Sequence, residues 1–68
     1  MRNKVLSALQ AHAEGNVELH LMNIEVYLNN PAGIGEHSDV LEAVQAEMDK
    51  VALHQDRLDI ITKYLRES

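Results

Sequence analysis

The sequence predicts an all-α protein: a two-helix antiparallel hairpin that pairs with a second copy into a four-helix bundle. Three observations predict it. Apolar residues recur in steps of three and four along two long segments, which is the helical period. One stretch between them, "NNPAGIGEHSD" at 29–39, breaks the pattern and holds the single proline and two of the three glycines. The hydrophobic residues, 46% of the chain, include no Trp or Phe, so the core is aliphatic and suits helix packing better than sheet.

The first helix is expected over about 3–29. Its apolar stripe runs Leu6, Leu9, Ala13, Val17, Leu21, Ile24 and Leu28 and passes Gly15 without losing phase. Gly15 costs about 1 kcal/mol relative to Ala in a helix interior. The competing reading is a break at "EGN", with Asn16 capping a second short helix.

The turn, about 30–37, follows from Pro31, which pushes Asn30 out of the helical region. Asn29 or Asn30 tolerates the left-handed conformation common at helix C-termini. Gly33 and Gly35 let the chain reverse, and Ile34 between them folds over the open end of the hairpin. A binding loop is the alternative reading, because a shorter turn would have sufficed.

The second helix is expected over about 38–66, on the stripe Leu41, Val44, Met48, Val51, Leu58, Ile61 and Leu65. Ser38 is its N-cap candidate. Asp39 and Glu42 sit near the positive end of the helix dipole, and Lys63 and Arg66 near the negative end. Asp59 and Lys63 are spaced to pair.

The 68 residues form a single helical-hairpin domain, 1–68, in this reading. A domain this small buries only about 60% of its unfolded surface. Cysteine is absent, which excludes disulfides and thiolate zinc sites and is compatible with a reducing compartment. The net charge of −5 with scattered bases works against nucleic-acid binding. No apolar run reaches membrane-spanning length, and "MRNKVLSALQAHAEGN" lacks the uninterrupted apolar region of a signal peptide. The expectation is a soluble, cytoplasmic protein, with no membrane and no nucleic-acid partner.

Projected at about 100° per residue, each helix shows a second apolar face. On the first it is Ala8, Ala11, Gly15, Leu19, Met22 and Val26; on the second, Ala46, Leu53, Ile60 and Tyr64. A lone hairpin buries one face of each helix and leaves these wet, which soluble monomers rarely tolerate. The expected partner is therefore a second copy of the chain, with another protein as a further candidate.

Chemistry has few places to sit. In a hairpin bent near Gly33, positions whose numbers sum to about 67 lie side by side, which puts His20 beside Glu47. The same register brings His12 within about one turn of Asp56, with His54 nearby; these three are the candidates for a histidine/carboxylate metal site across a dimer. No Glu-x-x-His or His-Glu-x-x-His occurs, so the expectation is no metal and no cofactor. His37 falls in the turn, and Gln10 and Gln55 are read as polar positions that set register on the inner faces. None of Ser7, Ser38 and Ser68 lies in a nucleophile elbow, and "GIG" lacks the rest of a phosphate loop. No enzyme is expected.

The run "MNIEVYLNNPAGIGEHSDVLEAVQAEMDKVA", residues 22–52, resembles small proteins encoded by tailed phages of marine bacteria, particularly cyanophages. In those, an asparagine-rich helix end, a proline and "GxGEHSD" lead into an acidic second helix, and the likeness extends loosely through "LDIITKYL". The resemblance implies expression in an infected bacterium, hence the host cytoplasm. It implies no activity and carries over no site residues. The function expected is a non-enzymatic, acidic protein-interaction module; a histidine/carboxylate metal-binding bundle and a minor virion component are the alternatives.

Overall fold

The computed structural model describes residues 1–29 and 37–66, without the side chains of His37 and Ser38. Helix α1 spans Arg2–Asn29 and helix α2 spans His37–Ile60; a π-helical turn, Ile61–Leu65, extends α2. The helices pack side by side in a rod of 49 × 15 × 15 Å. The 28 residues of α1 account for about 42 Å of that length at 1.5 Å per residue.

α1 is continuous through Gly15, as the unbroken stripe required. Asn16 does not cap a second helix: its side chain donates to the carbonyl of His12, one turn back, at 2.8 Å. Asn29 is still helical and donates to the Glu25 carbonyl at 2.8 Å and carboxylate at 3.1 Å, so it does not take the left-handed cap role. The turn residues Pro31, Gly33, Ile34 and Gly35 lie outside the described residues, as does the side chain of Ser38.

The sequence offers no sign of the π turn. Arg66 N–H donates to the Ile61 carbonyl at 2.8 Å, and the chain then leaves the helix with Arg66 extended. The Arg66 guanidinium donates to Ser7 Oγ at 3.2 Å and Gln10 Oε1 at 3.1 Å, while Arg2 donates to the Leu65 carbonyl at 2.7 Å. These bonds pin the end of α2 to the start of α1. The Asp59–Lys63 pair gives way to a Gln55 side chain that donates to Asp59 at 3.1 Å.

The seam between the helices keeps Leu6, Ala13, Val17 and Ile24 of the expected α1 stripe and Val44, Val51, Leu58 and Ile61 of the expected α2 stripe, and departs from both elsewhere. Its α1 side, buried or half-buried, is Leu6, Gln10, Ala13, Val17, His20, Ile24 and Tyr27; its α2 side is Val40, Val44, Glu47, Val51, His54, Leu58 and Ile61. Both alternate steps of four and three. Leu9, Leu21, Leu28, Leu41, Met48, Gln55 and Leu65 are exposed, contrary to their inner-face assignment. The reason is periodicity. The α1 stripe from Leu6 to Leu28 takes six steps over 22 residues, about 3.67 per turn, and walks around the helix. Two long helices stay in contact at about 3.5 per turn, which selects Leu6 to Tyr27. In α2 Val44, Val51, Leu58 and Ile61 stay in the seam, while Val40 and Glu47 take the places expected for Leu41 and Met48 and His54 joins them. Three hydrophobic residues end up buried among those described: Leu6, Ala13 and Ile61.

Candidate functional site

The 4-3 spacing carries four polar side chains, Gln10, His20, Glu47 and His54, into the seam. His20 Nδ1–H donates to Glu47 Oε2 at 2.5 Å, and Asn23 Nδ2 donates to Oε1 at 3.1 Å. Both carboxylate oxygens are thus engaged by α1. The His20 bond holds the Glu47 carboxyl below its usual pKa against the opposing effect of burial, with Asn23 and the neighbouring charges assisting.

His54 sits one heptad beyond Glu47 and is 8% exposed. Its ring stacks on His20, centroids 6.1 Å apart and planes 8° apart, and meets His12 edge-on at 5.8 Å. Three of the four histidines therefore line up across the seam. His54 Nδ1 is buried with no hydrogen-bond partner. Burial pushes its imidazole pKa below the ordinary 6.5, and Arg57, His12 and His20 push the same way.

Of the metal candidates, the structure brings His12 and His54 together and leaves Asp56 exposed on the outer edge of α2. No group of three His, Asp or Glu among the described residues is placed to hold a metal ion. Sequence reasoning placed His20 beside Glu47 correctly but missed Asn23 and the His20–His54 stack. The signal for the stack was the 4-3 spacing with polar residues admitted to it.

The larger feature is the outside of the rod. All ten residues of the expected second apolar faces are exposed: Ala8, Ala11, Gly15, Leu19, Met22, Val26, Ala46, Leu53, Ile60 and Tyr64. Two clefts flank the seam. Leu9, His12, Ala13, Arg57, Ile60 and Ile61 line the first; Ala11, Glu14, Gly15, Val17, Glu18 and Leu58 line the second. They mark two long sides of different character.

Rows seven residues apart extend each side. The first carries Val5, Leu9, Leu19 and Val26 on α1 with Ala46, Leu53 and Ile60 on α2, and its charges are Arg2, Lys50 and Arg57. Asp39, at the turn end, is the one carboxylate in these rows. On the second side Leu21, Leu28, Leu41 and Met48 are exposed beside Glu14, Glu18, Glu25 and Asp59, and the cations of these rows are Lys4 and, at the end of α2, the half-buried Arg66. Both sides are apolar; cations outnumber carboxylates on the first and carboxylates outnumber cations on the second. No helix among the described residues is long and apolar enough to cross a membrane. No family model, curated protein or solved structure matches the chain.

Proposed function

We propose that the protein is a small, acidic, non-enzymatic interaction module that works as a homo-oligomeric helical bundle. The smallest such assembly is two hairpins forming four helices, and docking of another protein is its further use. The observation that carries this reading is the exposed apolar surface. The chain's accessible surface is 5331 Å², against about 4,300 Å² for a compact protein of this mass. The excess, about 1,000 Å², is similar to the roughly 800 Å² per partner that a standard interface buries. Burial of a few hundred Å² of apolar surface contributes several kcal/mol at about 25 cal/mol per Å², comparable to a small domain's whole stability.

The test is solution mass by light scattering across a concentration series, with and without a chelator. A mass of two or more chains under both conditions supports the reading. A chain that stays single at high concentration refutes self-association. Loss of the oligomer with chelator alone moves the reading to the metal-binding bundle.

A further inference from the structure

We propose that copies of the chain associate side to opposite side: the carboxylate-poor side around Leu19, Leu53 and Arg57 of one copy seats on the acidic side around Glu14, Leu21 and Met48 of the next. The proposal rests on the self-association above and specifies which surfaces meet.

Two apolar surfaces need cover. Leu19 is 51% exposed and Leu53 48% on the first side; Leu21 is 47% and Met48 55% on the second. A two-fold pair meets through the same patch on both copies. Whichever side it uses, the other stays wet. A side-to-opposite-side contact uses both patches of every chain and leaves neither exposed inside the assembly.

Charge chooses the same pairing. First side against first side faces Lys50 and Arg57 with the same cations, in rows that supply only Asp39 to oppose them. Second against second brings Glu14, Glu18 and Glu25 of one copy toward those of the other, in rows whose cations are Lys4 and an Arg66 already bonded to Ser7 and Gln10. First against second puts cations opposite carboxylates and aliphatic residues opposite aliphatic residues. Lys50 and Arg57 are exposed and spaced seven apart on one row, and their aliphatic stems can lie along apolar surface while the charged heads reach outward. Opposite-charge facing of this kind fixes register and excludes the like-charged pairings.

A contact of this type does not saturate in a two-fold pair. It closes into a ring if the rotation per copy allows, and otherwise extends into a filament. On the outer edge of α1 Ala8 plays no part in it, and Gly15 only borders the cleft of the acidic side.

The test is complementation between two blocked variants, Leu53→Asp on the first side and Leu21→Asp on the second, read by light scattering and native mass spectrometry, with circular dichroism to check that each is helical. Each variant keeps one working side, so each alone is expected to be a single chain. An equimolar mixture is expected to give a 1:1 heterodimer that grows no further, weakened several-fold by raising salt from low to physiological strength. If Leu53→Asp alone abolishes association while Leu21→Asp keeps the wild-type mass, or the reverse, the contact is two-fold through one side and the proposal fails. A mixture that stays monomeric overturns it as well. Should either variant lose its helix, Lys50→Glu and Glu18→Lys serve without an apolar change: each alone is expected to be a single chain, and their mixture to regain the wild-type assembly, because both mixed contacts then face opposite charges; a mixture that stays monomeric overturns the proposal. A wild-type chain that never associates refutes the underlying reading instead.

Discussion

His20 and Glu47 bond across the seam at 2.5 Å although 27 positions separate them in the chain. The bond ties the middle of α1 to the first half of α2 and sets their register, since a slip by one turn would place apolar residues against both polar side chains. With Asn23 on the second oxygen, Glu47 has three groups depending on its position: its own carboxylate and two α1 donors. Glu47→Ala is expected to lower the melting temperature by several degrees. Glu47→Gln, which can still accept a bond, should cost less, and Glu18→Ala, on the exposed surface, should change little in dilute, single-chain conditions. Thermal circular dichroism of the three ranks them. Equal melting temperatures would remove Glu47 from its register-setting role.

Acid should unfold the protein in two stages. The folded-state pKa of His54 lies below its ordinary 6.5, so the unfolded chain takes up the proton first as pH falls. Stability tied to the neutral buried ring is complete above that value and is lost as pH drops toward the folded-state pKa. Glu47 is likewise held below its ordinary 4.5, so its contribution is present above that value and lost beneath it. Melting temperature against pH should be flat at neutral and mildly alkaline pH, then fall through the histidine range and again through the carboxylate range. His54→Leu also removes the unpartnered Nδ1, and should shrink the first fall while leaving the second. A profile unchanged by His54→Leu contradicts this assignment.

Gly15 is a position where the sequence is not at its stability optimum. A Cβ there would meet nothing within 4 Å, and the residue lies in the middle of α1. Gly15→Ala should raise unfolding free energy in urea by about 0.5–1 kcal/mol through reduced backbone entropy of the unfolded chain. Oligomer mass should not change, because Gly15 only borders the cleft of the acidic side and the added methyl meets open space. Loss of the oligomer would instead point to close helix approach along the small residues Ala8, Ala11 and Gly15.

The buried ends of the seam can be weighed directly. Leu6 is 6% exposed and Ile61 5%. Truncating either to Ala should cost about 2–4 kcal/mol, measured in urea at fixed protein concentration because association shifts apparent stability. A cost under about 1 kcal/mol would mean that this end of the hairpin frays.

At the same end, Arg66→Ala removes the bonds to Ser7 and Gln10. Faster amide exchange through Ile61–Leu65 is expected, with little change in melting temperature, since the bonds tie only the last turn of α2 to α1 and leave the rest of the seam in place. Unchanged exchange would show that the π turn holds without Arg66.

Helix identity and extent were legible in the sequence because they depend on local properties: the apolar period, Pro31 as a stop, and no strand-favouring run. The pairing of His20 with Glu47 was legible too, since a hairpin with long straight arms has one free parameter, its register. The seam was legible only in part. Leu6, Ala13, Val17, Ile24, Val44, Val51, Leu58 and Ile61 were on the expected stripes, but ranking positions by hydrophobicity also selected Leu9, Leu21, Leu28, Leu41 and Met48 and kept His20, Glu47 and His54 off them. A helix read alone has a period near 3.6, while two helices that must remain in contact for about 40 Å impose one near 3.5. That small difference rotates the buried row, turns five large aliphatic residues outward and stacks histidines inside. The bonds from Arg66 to Ser7 and Gln10, beside the π turn, were not legible either, because they join residues that only the packed pair brings together. Sequence alone determined that there are two helices and roughly where each lies; tertiary packing decided which face each helix buries and which charges are left to flank the faces outside.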